Sequence, residues 1–528
     1  MSTVARRALE QQRTFRGGLT LLLSPWLTVP LLVTAVFGLY LRSLSGWAAA
    51  DDLHHLEGAL AGVRPFDNFF RPLERGVNLL NVRGFGPENL AFAHGVSLAG
   101  FLVVVLGTYA LGRRLPGSAL SAALAAGLVA VSSLAVSSVV QIDTLSQQFV
   151  TVFALLFLHT LLAAKARASG PLYALAYLFA LLALLSKESA PGLVAAVPLA
   201  AFLLRGPGDA GSRSARRGLF GDLLGVALVA ALYALLRVVS GVGFGDADAG
   251  QYNLQLTPAR LLQNLALYGG SLLYTGGSTL DLLPVLKPGR VAVSGLLTAA
   301  LLVPSLVGAA QLVRSGERRR PLLGLFLLVL AGTFPVVLTE QVSELYTYGS
   351  LPFYALLLGF SFPAGVRVLA ERFRARWLRP VAALFVAASL VWSAGGAAEK
   401  VRLMDELGAQ SRGYFRQTQA FLETAPAGPL RLCWRHPPEV GAPLYSTFVM
   451  RPELVAGRAM GFAAWLEGRP LYLAAPDRPF GNTGAVAGVW LPSPVPLVPP
   501  PPKALARTGG DCTHRVSLED DGLRFAQR

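Results

Sequence analysis

Charge is scarce in this chain: 14% of its 528 residues are Asp, Glu, Lys or Arg, while 53% are hydrophobic. Ordinary soluble domains carry about 25% charge, so a soluble globular protein is excluded and most of the chain belongs in lipid. Lysine is scarcest among the charged residues, with five positions among 46 basic residues. Cysteine occurs only at Cys433 and Cys512, which excludes a disulfide-dense scaffold and leaves open one bridge or two buried thiols. No internal repeat is visible.

What the chain has instead is a succession of apolar runs. A bilayer core takes about 20 apolar residues per helix. About eleven such segments fall near 19–41, 90–112, 118–139, 145–163, 171–186, 190–204, 219–241, 292–313, 321–339, 349–368 and 381–398. The first is too long for a signal peptide and reads as an uncleaved span. The expected fold class is therefore an all-α polytopic membrane bundle. The stretch from Leu261 to Leu286 fits either an interfacial helix or a further span; alternating loop charge favours the interfacial form, with Tyr268 and Tyr274 at headgroup depth.

The formal charge of +16 raises the question of nucleic acid, and its distribution answers it. Six segments hold 21 basic residues against five acidic ones: the N-terminus, Arg113-Arg114, Lys165 with Arg167, Arg205 to Asp222, Arg314 to Arg320, and Arg367 to Arg379. They fall in alternate connections, and the rest of the chain balances at 25 basic against 25 acidic residues. By the positive-inside rule they are cytoplasmic, which puts the N-terminus (1–18) inside and the C-terminus outside an inner membrane. The excess is an orientation signal, and no nucleic-acid partner is implied. The remaining parts are a transmembrane domain over 19–398, with long external loops at 42–89 and 242–290, and a small mixed α/β external domain over 399–528. An amphipathic helical stretch from about Glu399 to Thr424 and strand-like runs at Arg431-Leu432-Cys433-Trp434 and Leu471-Tyr472-Leu473 suggest that last unit, and Pro492 to Pro502 reads as extended polyproline chain.

Ionisable side chains near lipid cost about 2.5–3.5 kcal/mol each at a helix centre, so those at span ends need a reason. Asp51-Asp52 follows the first span, with His54, His55 and Glu57 behind it; Asp143 lies between the third and fourth. Lys187-Glu188 joins the fifth and sixth, and Glu340, Glu344, Tyr346 and Tyr348 lie between the ninth and tenth. Span parity puts all four clusters on the outer side. Each also has a plainer reading: a solvated helix end for Asp51-Asp52, a structural ion pair for Lys187-Glu188, interfacial belt residues for the tyrosines.

The order of Asp51-Asp52, Phe70-Arg71-Pro72-Leu73, His94, Ser186-Lys187-Glu188-Ser189 and Glu344-Leu345-Tyr346-Thr347-Tyr348 resembles the GT-C glycosyltransferases. Within them it is most similar to protein O-mannosyltransferase relatives, including membrane proteins that append TPR repeats, over roughly residues 19–370. Leu345 stands where that family commonly has Arg, Ser97 and Phe101 where it has Asn and His, and no TPR repeats follow the bundle. The resemblance implies a polyprenyl-phosphate-linked sugar donor and a protein, lipid or glycan acceptor, with sugar transfer at the outer face of a bacterial cytoplasmic membrane. It makes Asp51 or Asp52 the base and Arg71, Lys187 and His94 donor-phosphate partners. His54, Asp143, Glu188, Glu344, Tyr346 and Tyr348 would be supporting polar residues, and Asp51, Asp52 and His54 a candidate set for a divalent metal. The competing classes are a membrane transporter or flippase, which would favour inverted repeats and midplane charges, and a noncatalytic envelope scaffold.

Overall fold

The computed structural model describes residues 24–48, 51–61, 70–115, 119–204, 213–242, 256–274, 288–316, 318–334, 336–339, 343–427, 430–434, 452–467, 471–474, 485–486, 489–490, 514–519 and 522–527. All eleven expected apolar segments are helical. They are α1 (Pro25–Tyr40), α4 (Ala91–Arg114), α5 with α6 (Ala119–Ala130, Val136–Val140), α7 (Leu145–Arg167), α8 (Gly170–Leu184), α9 (Ala190–Leu203), α10 (Arg213–Val239), α12 (Pro288–Arg314), α13 (Arg319–Thr333), α14 (Leu351–Arg372) and α15 (Leu378–Thr424). Among the described residues seven helices are long and apolar enough to cross a membrane, and the pair at Ala119–Ala130 and Ser133–Val140, bent by 49°, makes an eighth if it is one span. The short ones, α8, α9 and α13, adjoin the polar turns at Lys187-Glu188 and before Glu344, which cut the apolar runs short.

Helix direction sorts the charge. α4 ends in Arg113 and Arg114, α7 in Lys165 and Arg167, α12 in Arg314 and α14 in Arg372, where cations complement the helix dipole. Asp143, Lys187-Glu188 and Glu344 precede α7, α9 and α14, so they share one end of the bundle and the Arg residues share the other.

Small residues let the backbones meet, as lipid-embedded helix pairs require. A Cβ on Gly365 of α14 would lie 1.7 Å from the Pro304 carbonyl oxygen of α12, and one on Gly308 1.9 Å from that of Ser361. Gly112 and Ala122 bring α4 onto α5 in the same way. Tyr40 meets Phe101 edge-on at 5.2 Å in the core between α1 and α4.

The first long loop is largely helical. It holds a 3-10 turn at Leu41–Ser45, α2 (Asp51–Ala61) and α3 (Pro72–Phe85). Proline at its start, Glu74 in its first turn and Gly86 at φ 83° just past its end delimit α3. In the second long loop, α11 (Pro258–Leu273) is amphipathic, with Leu262, Leu265 and Leu273 exposed. Its expected headgroup anchor needs correcting: Tyr268 is 1% exposed and packed into protein. Beside it, Asn264 Nδ2 donates to the carbonyls of Val337 (2.8 Å) and Thr339 (2.9 Å), so the polar face of α11 holds the chain leading to Glu344.

Residue 399 lies within α15, a continuous helix of 47 residues that carries the last apolar segment into the C-terminal unit. There β1 (Leu430–Trp434) pairs in parallel with β2 (Leu471–Ala474), and α16 (Pro452–Leu466) makes the crossover that parallel strands need. β3 (Ala485–Val486) and β4 (Val489–Trp490) form a separate antiparallel pair. β5 (His514–Glu519) and β6 (Gly522–Gln527) complete a four-stranded sheet of order β2-β1-β5-β6. Phe421 of α15 stacks on Phe525 at 4.2 Å, and Trp47, Phe415 and Phe462 link the first loop, α15 and α16. The side chain of Cys433, Cys512 and the Pro492–Pro502 run lie outside the described residues.

Candidate functional site

The polar clusters separated in sequence meet where α2, α3 and the turns before α7 and α9 converge. Asp52 is 2% exposed, and its Oδ1 accepts the backbone N–H groups of Ile142 (3.0 Å) and Asp143 (2.9 Å). One turn along α2, His55 Nδ1 lies 2.6 Å from Glu74 Oε1. Glu74 Oε2 accepts the Ser146 N–H at 3.2 Å and lies 3.9 Å from an Arg71 guanidinium nitrogen. Arg71 Nε donates to Glu188 Oε2 at 3.0 Å, while Glu188 Oε1 accepts the Phe70 N–H at 3.1 Å. Asp52, Asp143, His55, Glu74, Arg71 and Glu188 are thus joined without leaving one region of the molecule.

Lys187 completes the group. It is 6% exposed, with Nζ 5.1 Å from the centre of the Tyr346 ring. Burial, then the neighbouring Arg71 charge, push its pKa down to about 7 against the pull of Glu188, Glu74 and Asp143. His55 shows the reverse balance: burial disfavours the imidazolium, but the charge and hydrogen bond of Glu74 outweigh it and raise the pKa. For Glu74, burial acts upward and the His55 partner overrides it, lowering the pKa.

Beside this network lies a cavity of about 350 Å³ lined by His55, Phe70, Arg71, Glu74, Asn78 and Ser240, among others. It offers a guanidinium, an imidazole and a carboxylate against apolar walls, the usual make-up of a small-molecule site. Five of the expected residues, Asp52, Arg71, Asp143, Lys187 and Glu188, fall in the network. Tyr346 joins through Lys187. Tyr348 is buried in the main core, and Glu344 pairs with Lys400 beneath the turn that carries Tyr346. His94 is 2% exposed, packed near Gly46, and is not among the residues lining the cavity.

The side chains of Asp51 and His54, and all of Glu340, lie outside the described residues. Among the described residues no three His, Cys, Asp or Glu side chains converge as metal ligands. Of the candidate metal set only the Asp52 carboxylate is described, and one of its oxygens is committed to two amides. Sequence reasoning missed Glu74, His55 as the histidine that faces the network, and Lys400. The one signal for Glu74 was its i,i+3 spacing from Arg71, which also fits an exposed turn.

No family model matches the chain, and no curated protein matches it. Among solved structures it is similar to ArnT from Cupriavidus metallidurans bound to undecaprenyl phosphate, at 14% identity and a TM-score of 0.45, covering 84% of this chain and 89% of that one. It is also similar to the Archaeoglobus fulgidus oligosaccharyltransferase in complex with Zn and sulfate, at 13% identity and a TM-score of 0.47 over 86% of this chain. A third is the archaeal oligosaccharyltransferase AglB from Archaeoglobus fulgidus with an inhibitory peptide and a dolichol-phosphate, at 13% identity and 0.44 over 82%. The chain spans 63% of the length of each archaeal chain.

Proposed function

We propose that this chain is a membrane glycosyltransferase of the GT-C type that moves a sugar from a polyprenyl-phosphate donor to an acceptor hydroxyl, with inversion, at the outer face of a cytoplasmic membrane. The observation that carries this reading is the gathering of Asp52, Arg71, Lys187 and Glu188 from three distant stretches of sequence at one end of a helical membrane bundle, beside a cavity. Sugar transfer from a lipid phosphate needs a carboxylate for the acceptor proton and fixed cations for the departing phosphate. Both are present here. A transporter would favour such groups near the bilayer midplane, and an anchor needs neither.

In this reaction the acceptor oxygen forms a bond to the anomeric carbon as the bond from that carbon to the phosphate oxygen breaks. The electron pair leaves with the polyprenyl phosphate, and the hydroxyl proton passes to the acidic pair Asp51-Asp52. The two amides on Asp52 Oδ1 fix that carboxylate before substrate arrives, so little orientation is left to arrange during reaction. Arg71, oriented by Glu188 on one side and Glu74 on the other, meets the leaving phosphate together with Lys187.

The test is reconstitution with undecaprenyl-phosphate sugars. Donor-dependent transfer by the wild type, reduced about 10²-fold or more in Asp52→Asn or Asp51→Asn with undecaprenyl phosphate still bound, is the expected result. Full turnover in both variants removes the acidic pair from the chemistry. Movement of intact donor across the bilayer without sugar transfer establishes a flippase instead.

A further inference from the structure

Lys400 lies in α15 beyond the last apolar segment, yet it is fully buried. Its Nζ is bonded to the Glu344 carboxylate, also fully buried, and donates to the Ser133 carbonyl at 3.2 Å. This contact ties together α15, the bend between α5 and α6, and the short turn Glu344–Thr347. Desolvating two such ions costs several kcal/mol each, and apolar residues of similar volume often serve stability as well or better. Stability alone is therefore a weak account of the pair, and what it touches is more informative.

Two residues after Glu344 comes Tyr346, whose ring lies under the Lys187 ammonium. The turn between them is closed by local side-chain hydrogen bonds. Ser343 Oγ accepts the Leu345 N–H at 3.4 Å, and Thr347 Oγ1 donates to the Glu344 carbonyl at 2.6 Å. Displacing Glu344 therefore displaces the ring. We propose that Lys400 is a positioning residue for the donor-phosphate site: by holding Glu344 it sets the Tyr346 ring that supports the Lys187 ammonium. The inference rests on the glycosyltransferase reading only for the identity of the phosphate ligand; the mechanical link from Lys400 to Lys187 stands on geometry.

The groups facing Lys187 are Tyr346 from the Glu344 turn, Arg71 and Glu74 from the start of α3, Asp143 from the turn before α7, and Glu188 beside it. Of these, Tyr346 sits on the turn that Lys400 holds through Glu344. Loss of the ring removes a cation–π partner from a desolvated ammonium and favours its neutral form, so the amine titrates at lower pH.

The experiment is competitive amine labelling of Lys187 against pH, resolved by mass spectrometry, which five lysines make tractable. It is run on the full chain in detergent with undecaprenyl phosphate binding as a second readout. Because Lys400→Met alone leaves a buried carboxylate, the informative variant is Lys400→Met with Glu344→Met, which removes both charges. The expected result is a melting temperature near that of the wild type, a Lys187 midpoint moved to lower pH, and undecaprenyl phosphate affinity about tenfold weaker at pH 7.5. Tyr346→Leu should give the same changes, Tyr346→Phe should not, and the Tyr346→Leu changes should not add to those of the double variant. An unmoved Lys187 midpoint in a folded double variant, or effects that add, overturns the positioning role. Should the double variant fail to fold, Lys400→Gln with Glu344→Gln, an uncharged pair, takes its place: a Lys187 midpoint moved to lower pH supports the link, and an unmoved midpoint in the folded protein overturns it. Absence of sugar transfer in the wild type counts against the parent reading alone, since the labelling does not depend on turnover.

Discussion

At the scale of single residues, the most exposed consequence of the site concerns protons. With its pKa pushed down to about 7, Lys187 gives up its charge as pH rises through neutrality, whereas an ordinary lysine keeps it to above pH 10. Undecaprenyl phosphate affinity should therefore fall between pH 6 and 8.5, and the fall should be absent in Lys187→Arg, whose guanidinium stays charged; titrating the affinity by thermophoresis checks both. The His55–Glu74 pair gives a stability prediction. Glu74, with a lowered pKa, contributes stability above its unfolded value near 4.5 and loses it as pH falls; His55, with a raised pKa, contributes it fully below 6.5 and loses it as pH rises through its folded value. The gap in melting temperature between wild type and Glu74→Gln should be widest between about pH 4.5 and 6.5 and narrow on either side. The residues legible in the sequence were those whose neighbours mark a span end, such as Asp52, Asp143 and Lys187. Glu74 was not, because its burial depends on Ser146, 72 residues away.

At the scale of helices, close approach governs. The contact between α12 and α14 leaves no room for a side chain at Gly365, so Gly365→Val should force the helices apart at a cost of about 1–3 kcal/mol or more, read as a lower melting temperature in detergent. Gly38 of α1, with nothing within 4 Å of a Cβ, is the contrasting position: Gly38→Ala should leave stability unchanged or raise it by about 0.5–1 kcal/mol. Apolar runs announced every bundle helix because lipid obliges a spanning backbone to satisfy its own hydrogen bonds. They did not announce that the last apolar segment and the amphipathic stretch expected to reach Thr424 form one unbroken helix, α15. Hydropathy falls there, but the helical hydrogen bonds run on unbroken, and so the depth of Lys400 was hidden.

At the scale of the whole molecule, the separation of acidic network and Arg-rich helix ends to opposite faces of the bundle makes a topological prediction. Alkaline phosphatase fused after residue 528 should be active outside the membrane, while the same reporter fused ahead of residue 1 should be silent; the reverse pattern would move the site to the cytosol. The 47 residues of α15 amount to about 70 Å of helix, against about 30 Å of hydrocarbon. More than half of this rod therefore stands clear of the lipid, stacked through Phe421 on the sheet at its far end and locked through Lys400 further down. Among the described residues one unbroken helix thus joins the sheet at Phe525 to the ion pair at the foot of the turn carrying Tyr346, so a twist applied at either end would be carried along it to the other.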